Sequence, residues 1–161
     1  MPIRVLFVCL GNICRSPMAE SVFRHLVEQE GLDKRVSIDS AGTGSWHAGS
    51  PPHPETQQEL IRNGIDVGPG RARQVTREDL THFDYVVAMD SSNLQDLQDL
   101  YDRTPDAAST LSRLLDHART STHVDVPDPY YEGGFDYVFE LVVDGCQGLL
   151  TSIVAEHQLV P

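Results

Sequence analysis

The residues best suited to chemistry stand close to the N-terminus, in the stretch Val8-Cys9-Leu10-Gly11-Asn12-Ile13-Cys14-Arg15-Ser16-Pro17. A hydrophobic run over residues 3–8 predicts a buried strand that ends at Cys9, and the segment after Ser16 predicts an amphipathic helix. Between them lie Gly11 and Asn12, the two residue types that most readily adopt positive φ. Such a turn directs backbone N–H groups inward at the positive end of a helix, and it therefore predicts a cradle for an anion.

The side chains at this cradle predict thiol chemistry on an oxyanion. Cys9 lies at its base, where a positive field favours ionisation of a thiol to the nucleophilic thiolate. Arg15 lies at its rim and offers a planar fork that matches two oxygens of a phosphate-like group. The stretch therefore predicts a thiolate nucleophile beneath a bound tetrahedral oxyanion.

Other uses of this stretch fit the sequence less well. A cysteine beside an arginine is usually only a core residue, but here a strand, a cysteine, a Gly/Asn turn, an arginine, a serine and a proline coincide. The dinucleotide pattern G-x-G-x-x-G and the nucleotide pattern G-x-x-x-x-G-K-[ST] are both absent. Cys9 and Cys14 have the residue type of a metal pair, yet no second cysteine pair or suitably spaced histidine follows.

The composition indicates one domain, residues 1–161, whose main partners are not polyanions. Twelve Lys and Arg against 24 Asp and Glu give a formal net charge of −12, which disfavours nucleic acid and anionic membranes as partners. No signal-peptide pattern opens the chain, and no segment is expected to approach transmembrane length. Three cysteines do not suggest a secreted disulfide framework, so a cytoplasmic location is expected.

Strands and helices are expected to alternate along the chain, which predicts a parallel α/β sheet with right-handed crossovers. Strands are predicted over 3–8, 36–40 and 83–89, and residues 111–115 fit either a fourth strand or a helical turn. Helices are predicted over 17–30 with Ser16 as the N-cap, over 54–63, after Thr76, from Ser91 or Ser92 to Leu100, and over Phe135–His157. The remaining long loop, 117–134, is of a length that is usually functional in a compact domain.

Polar residues follow each of these strands, at the edge where parallel α/β sheets bind ligands. They are Cys9, Ser40, Asp90 and Asp128. Asp128 stands in the long loop between two prolines, where it is either a turn former or a proton donor. The topology and the chemistry therefore point to the same edge of the sheet.

Several motifs in the same order resemble the low-molecular-weight protein tyrosine phosphatase family, and the resemblance covers nearly the whole chain. They are the stretch from Cys9 to Pro17, Asp39-Ser40-Ala41-Gly42-Thr43, Ala72-Arg73-Gln74, Met89-Asp90 with Asn93-Leu94, and Asp128-Pro129-Tyr130-Tyr131. The resemblance implies a single flavodoxin-like domain with helices on both faces of a four-stranded parallel sheet, in strand order 2-1-3-4. The strand assignment of 111–115 rests on this resemblance.

The resemblance also implies a role for each matching residue. Cys9 is expected to be the nucleophile, Arg15 the phosphate ligand, and Asp128 the general acid and base. The phosphate-binding loop is expected to comprise Leu10, Gly11, Asn12, Ile13, Cys14, Arg15 and Ser16. The Ser16 hydroxyl is expected to hydrogen-bond the departing thiolate, besides capping the helix. Asn12 and Ser40 are expected to form the polar net that holds the loop in its left-handed turn. Asp90 is expected to orient the arginine or only to begin a helix.

The cleft and a redox role are also implied by the resemblance. Trp46, Tyr130 and Tyr131 are expected to line the substrate cleft, although a Trp in a Gly/Ser/Pro loop can also simply pack that loop down. Cys14 is expected to protect oxidised Cys9 as a disulfide partner, or else to be an apolar filler. The seven histidines are scattered and are expected at the surface, and neither a metal nor a cofactor is implied.

One position departs from the family pattern. The family commonly has a histidine just before the Ala-Arg segment, where it joins the polar net of the loop, and here Gly70 takes that place. Either a water substitutes for that histidine or the loop is held less firmly.

Three functions compete for these residues. The first is a metal-independent phosphomonoesterase that acts on phosphotyrosine proteins or small aryl phosphates and is inhibited by inorganic phosphate and similar oxyanions. The second is a thiol-dependent arsenate reductase, which needs further accessible thiols, whereas Cys146 falls on an apolar helix stripe. The third is a binding module for phosphotyrosine, which would need neither Cys9 nor Asp128. The sequence favours the first.

Overall fold

Strands and helices alternate along the chain in the computed structural model, which describes residues 1–161. The strands are β1 Ile3–Cys9, β2 Val36–Gly42, β3 Tyr85–Ala88 and β4 Thr110–Arg113. The helices are α1 Arg15–Gln29, α2 Pro54–Arg62, α3 Arg77–His82, α4 Ser91–Asp102, α5 Pro129–Glu132 and α6 Phe135–His157, with a 3-10 turn at Leu114–His117.

The four strands form one parallel sheet in the order β2-β1-β3-β4, which confirms the predicted α/β fold. The central strand β1 is covered on both faces. Val5 and Phe7 belong to the larger core cluster with side chains of α1 and α6, whereas Leu6 and Val8 belong to a second cluster with α3 and α4. Because alternate side chains of a strand point to opposite faces, β1 anchors both halves of the core.

Helix α6 has the predicted bounds and packs against α1 and against the 3-10 turn. Gly148 allows this close approach, because a Cβ at that position would lie 1.7 Å from the carbonyl oxygen of His117. The helix has 23 residues and a mean hydropathy of 1.5, so its length and composition would suffice to cross a membrane. The expectation that no segment approaches that length was therefore wrong, although half of its apolar window is buried in the protein, as in core helices.

Several element boundaries differ from the sequence-based expectations. Helix α1 begins at Arg15, and Ser16 is not its N-cap, because the Ser16 hydroxyl contacts the Cys9 sulfur instead. Asp90, rather than Ser91 or Ser92, caps α4. Residues 111–115 satisfy both alternatives, since they span the end of β4 and the start of the 3-10 turn.

Candidate active site

The loop from Cys9 to Ser16 joins the carboxyl end of β1 to the N-terminus of α1. Asn12 has φ of 57°, the left-handed conformation that was expected at this turn. The loop folds back over Cys9, which is 2% exposed. The Cys9 sulfur accepts from the Asn12 N–H at 3.3 Å and lies 3.0 Å from the Ser16 hydroxyl. The thiol therefore stands at the floor of the loop, within hydrogen-bond distance of one backbone N–H and one hydroxyl group.

The orientation of the Asn12 amide is fixed by its neighbours. The Arg73 backbone N–H, which can only donate, donates to Asn12 Oδ1 at 3.0 Å. Nδ2 must then face the other side, where it donates to Ser16 Oγ at 2.8 Å and to Ser40 Oγ at 3.0 Å. Since Ser16 Oγ accepts from Asn12, its own proton is free to be donated to the sulfur of Cys9.

Ser40 is held in turn by the carboxylate of Glu20. The Ser40 hydroxyl donates to Glu20 Oε1 at 2.6 Å, and Arg24 donates to Glu20 Oε2 at 2.5 Å. A Cβ at Gly70 would lie 3.9 Å from Glu20 Oε2, so the position that departs from the family pattern borders this carboxylate. In this chain the polar net therefore continues from Ser40 to Glu20 and Arg24.

The Arg15 guanidinium has N–H groups that make no hydrogen bond within the protein. It is 2% exposed, and its Nη1 donates to Asp90 at 2.6 Å and to the Val126 carbonyl at 2.9 Å. Nη2 makes one contact with Asp128, at 3.4 Å, and the buried Nε has no partner. Although burial opposes the charge, the negative groups of Cys9, Asp90 and Asp128 raise the pKa of Arg15. The side of the guanidinium formed by Nε and Nη2 thus keeps unused N–H groups, which is the fork that a tetrahedral oxyanion requires.

Asp90 contacts both Arg15 and the start of α4. Its Oδ1 accepts from the Asn93 N–H at 2.7 Å and caps α4, while its Oδ2 holds Arg15. The helix cap fixes the carboxylate, and the carboxylate in turn fixes the guanidinium.

Asp128 ends residues 118–128, here called the acid segment, and immediately precedes α5. Its Oδ1 accepts from the Tyr130 N–H at 3.1 Å, and its Oδ2 faces Arg15. Pro127 and Pro129 flank it in the sequence. One carboxylate oxygen is therefore held by the backbone and the other is directed into the cleft.

One cleft contains the residues expected to bind and transform the substrate. It is lined by Cys9, Leu10, Gly11, Ile13, Cys14, Arg15, Trp46, His47, Asp128, Tyr130 and Tyr131. Four further residues lie behind this surface and support it through the hydrogen bonds described above: Asn12, Ser16, Ser40 and Asp90. The Trp46 ring lies over Gly44, where an added Cβ would fall 2.1 Å from the ring, and the residue is 64% exposed. Trp46 therefore packs its own loop and borders the cleft.

Two histidines that were expected only at the surface are half-buried beside the cleft. The His47 ring meets the edge of Tyr130 at a centroid distance of 5.8 Å. The His53 ring stacks on Phe135 at 5.1 Å, and its Nδ1 accepts from the Glu55 N–H to cap α2. Their loop has no periodicity that could have revealed these contacts. No three His, Cys, Asp or Glu side chains come together in a way that could hold a metal ion.

Comparison with known proteins places this fold and site in one family. The model of the family described as low molecular weight phosphotyrosine protein phosphatase matches residues 4–159. A relative from Bacillus subtilis, the low molecular weight protein-tyrosine-phosphatase YfkJ, is 50% identical over 98% of this chain and 99% of its own. A Schizosaccharomyces pombe phosphatase of the same description is 46% identical over 94% of this chain and 97% of its own.

Solved structures agree with the sequence comparison. The crystal structure of YfkJ matches with a TM-score of 0.91 and 49% identity over 97% of both chains. A Drosophila arginine phosphatase matches with a TM-score of 0.87 and 33% identity, over 94% of this chain and 98% of its own. The chain is thus a hydrolase built on a four-stranded parallel sheet, with a phosphate-binding loop after its first strand. It belongs to the low molecular weight protein tyrosine phosphatase family.

Proposed function

We propose that the protein hydrolyses phosphotyrosine and other aryl phosphates through a covalent phosphoryl intermediate on Cys9. The observation that carries this proposal is the set of groups around one cleft. A sulfur accepts hydrogen bonds at its floor, the unused N–H groups of Arg15 lie beside it, and the Asp128 carboxylate faces them. Nucleophile, oxyanion ligand and proton donor thus share one site.

In the first step the Cys9 thiolate attacks phosphorus, so that the S–P bond forms as the bond from phosphorus to the ester oxygen breaks. Protonated Asp128 gives its proton to the departing phenolic oxygen, which leaves as a neutral phenol. The loop N–H groups and the fork of Arg15 bind the equatorial oxygens, where negative charge accumulates in the transition state. Because these groups supply the positive charge, the proposed step needs no metal.

In the second step a water molecule replaces the sulfur. Asp128, now a carboxylate, accepts a proton from the water as its oxygen bonds to phosphorus and the S–P bond breaks. Cys9 departs as a thiolate, and the Ser16 hydroxyl, 3.0 Å away, donates to that developing negative charge. Inorganic phosphate is released, and the same groups should make phosphate and similar oxyanions competitive inhibitors.

The cleft walls favour an aromatic ester. Tyr130 and Tyr131 are 49% and 71% exposed, and they contact each other edge to face at 5.0 Å. Together with Trp46 they form an apolar wall above the loop that can stack on a phenyl ring. The substrates we propose are phosphotyrosine proteins or small aryl phosphates in the cytoplasm, rather than nucleic acids or membrane lipids.

Arsenate reduction is the weaker alternative. It needs a relay of accessible thiols, but Cys146 is fully buried in α6, and burial raises its pKa above the usual range. A module that only binds phosphotyrosine would use neither a buried thiol nor a carboxylate opposite it. Both alternatives make predictions that one set of assays separates.

The test compares aryl phosphate, phosphoarginine, and arsenate with a thiol reductant as substrates for the wild-type protein and for Cys9→Ser. The proposal predicts release of phosphate from the aryl ester by the wild type and loss of at least about 10³-fold of that rate in Cys9→Ser. Preference for phosphoarginine would change the substrate class, and reduction of arsenate without phosphatase activity would replace the function. Comparable phosphatase activity in Cys9→Ser would remove Cys9 from its role.

A further inference from the structure

The acid segment is fixed to the junction between β3 and α4 just before it reaches Asp128. Asp125 Oδ1 accepts from both the backbone N–H and the hydroxyl of Ser91, each at 2.8 Å. The Val126 N–H donates to the Met89 carbonyl at 2.9 Å, and Val126 is 1% exposed. The two residues therefore tie the segment to the junction by three hydrogen bonds.

The same junction also holds the phosphate ligand. Asp90 lies between Met89 and Ser91 and binds Arg15 Nη1 at 2.6 Å. The Val126 carbonyl accepts from the same nitrogen at 2.9 Å. The guanidinium and the acid segment thus share one support. A movement of the segment at this point would change the position of Asp128 relative to a phosphoryl group bound on Arg15.

We propose that Asp125 is a positioning residue that sets where Asp128 stands over the cleft, and this inference rests on the proposed function. Asp125 is exposed and is not among the residues that line the cleft, so it acts through the backbone of the acid segment. Its carboxylate accepts from the first N–H of α4, an interaction that the positive end of the helix strengthens. Without it, residues 127–128 are held by the Val126 pairing, by the contact of Asp128 with Arg15 and by the cap of α5.

The chain offers a matched control at the other end of the same segment. The Asp144 carboxylate on α6 accepts from the backbone N–H groups of Arg119, Thr120 and Ser121. It is also a carboxylate that ties the acid segment to a helix, but its bonds lie seven or more residues before Asp128. Its removal should loosen the segment without moving the acid.

The experiment measures kcat/KM for aryl phosphates whose phenols range from strongly to weakly acidic, because this constant covers the step in which the phenol leaves. Asp125→Ala should lose about tenfold on the poorest leaving groups, a part of the full general-acid contribution, and less than about twofold on the best. Asp125→Asn keeps an acceptor oxygen but no charge, and it should retain most of the wild-type profile. Ser91→Ala removes the hydroxyl bond to Asp125 and the bond that Ser91 Oγ accepts from Arg113, but it keeps the backbone bond to Asp125. It should show the same pattern in weaker form.

The outcomes separate a positioning role for Asp125 from a general contribution to the stability of the segment. An even loss across the series, an equal loss in Asp125→Asn, or the same selective loss in Asp144→Ala would each overturn the inference. If Asp125→Ala does not fold, Ser91→Ala decides by whether its loss is selective for poor leaving groups. A wild-type protein that hydrolyses no member of the series would overturn the proposed function and this inference with it, whereas an even loss from an active wild type overturns the inference alone.

Discussion

A chain of hydrogen bonds from Glu20 to Cys9 determines where the hydroxyl proton of Ser16 points. The Arg73 N–H fixes the Asn12 amide from one side, and Glu20 fixes the Ser40 hydroxyl from the other. Both ends require Asn12 to donate, so the Ser16 proton is left for the sulfur, although the Ala41 carbonyl, 3.4 Å away, is a weaker competing acceptor. The polar net thereby directs the Ser16 proton at the Cys9 sulfur, where it can stabilise negative charge that develops on that atom.

Glu20→Ala should therefore slow alkylation of Cys9 by iodoacetamide at mildly acidic pH, by about threefold for a fraction of one hydrogen bond. A direct effect of charge would act in the opposite direction, because removing a carboxylate favours a nearby thiolate. Glu28→Ala is the matched control, since Glu28 is an exposed carboxylate on the same helix. Faster alkylation of Glu20→Ala than of the wild type would contradict the role of the net.

Trp46 is expected to contribute to substrate binding through stacking, although it also packs on Gly44. Trp46→Ala should raise KM for aryl phosphates by about fivefold, as expected for ~1 kcal/mol of stacking, and leave KM for small alkyl phosphates nearly unchanged. Steady-state kinetics with one substrate of each kind measures the difference. Equal effects on both would assign the ring to loop packing alone.

Cys14 lies in the same loop as Cys9, and we propose that it acts as the redox partner of Cys9. Burial and the neighbouring Cys9 raise the pKa of the Cys14 thiol to about 12. It therefore stays protonated near neutral pH and does not compete as a nucleophile. When peroxide converts Cys9 to a sulfenic acid, attack by Cys14 sulfur on Cys9 sulfur expels water and forms a disulfide.

This chemistry predicts that peroxide inactivates the enzyme and that a thiol reductant restores it. Cys14→Ser should be active but should lose most of that recovery. Because the attacking form of Cys14 is the thiolate, the recoverable fraction of the wild type should increase as the pH rises above neutral. Activity before and after reductant, measured across pH, tests this, and full recovery by Cys14→Ser would leave Cys14 as a packing residue.

At the scale of elements, a single carboxylate ties the start of the acid segment to α6. Burial opposes the charge on Asp144, but hydrogen bonds from Ser121, Arg119 and Thr120 outweigh it and hold the pKa of Asp144 below its usual 3.8. A group whose pKa falls on folding stabilises the fold above its unfolded pKa, and this stabilisation disappears as the pH falls through the folded value.

Asp144→Asn should accordingly lower the melting temperature at neutral pH, and its deficit against the wild type should shrink below about pH 4. Thermal melts of both proteins at neutral and acidic pH measure this difference. Asp136→Asn serves as the control, because Asp136 is an exposed carboxylate near the start of the same helix. A deficit that is constant with pH would show that the carboxylate charge is not what holds the segment.

At the scale of the whole molecule, the local sequence pattern determined the main elements. The apolar stripe from Phe135 to Ile153 was sufficient to place both ends of α6, and the run before Cys9 placed β1. The strand β4 could not be separated from a helical turn, because its four residues are partly exposed and carry no clear period.

The residues that sequence reasoning missed act over long separations. Glu20 reaches Ser40 from another element, and Asp125 reaches Ser91 across 34 residues, so neither has a local signature. Of the two contacts expected of Ser16, the helix cap was wrong, although serine before a proline is typical of a helix start. The other expected partner, the Cys9 sulfur, lies 3.0 Å from its hydroxyl. Local patterns predict where the chain turns, but not which polar groups meet.

The most direct test of the account is to trap the phosphoryl group on Cys9. Asp128→Asn should accumulate the intermediate with an aryl phosphate of good leaving group, because the first step then needs no acid while the second step lacks its base. After rapid denaturation at alkaline pH, where the S–P bond persists, mass spectrometry should find one phosphoryl group on Cys9, and none in a protein that also carries Cys9→Ser. Turnover without any such adduct, or a phosphoryl group on another residue, would contradict the account.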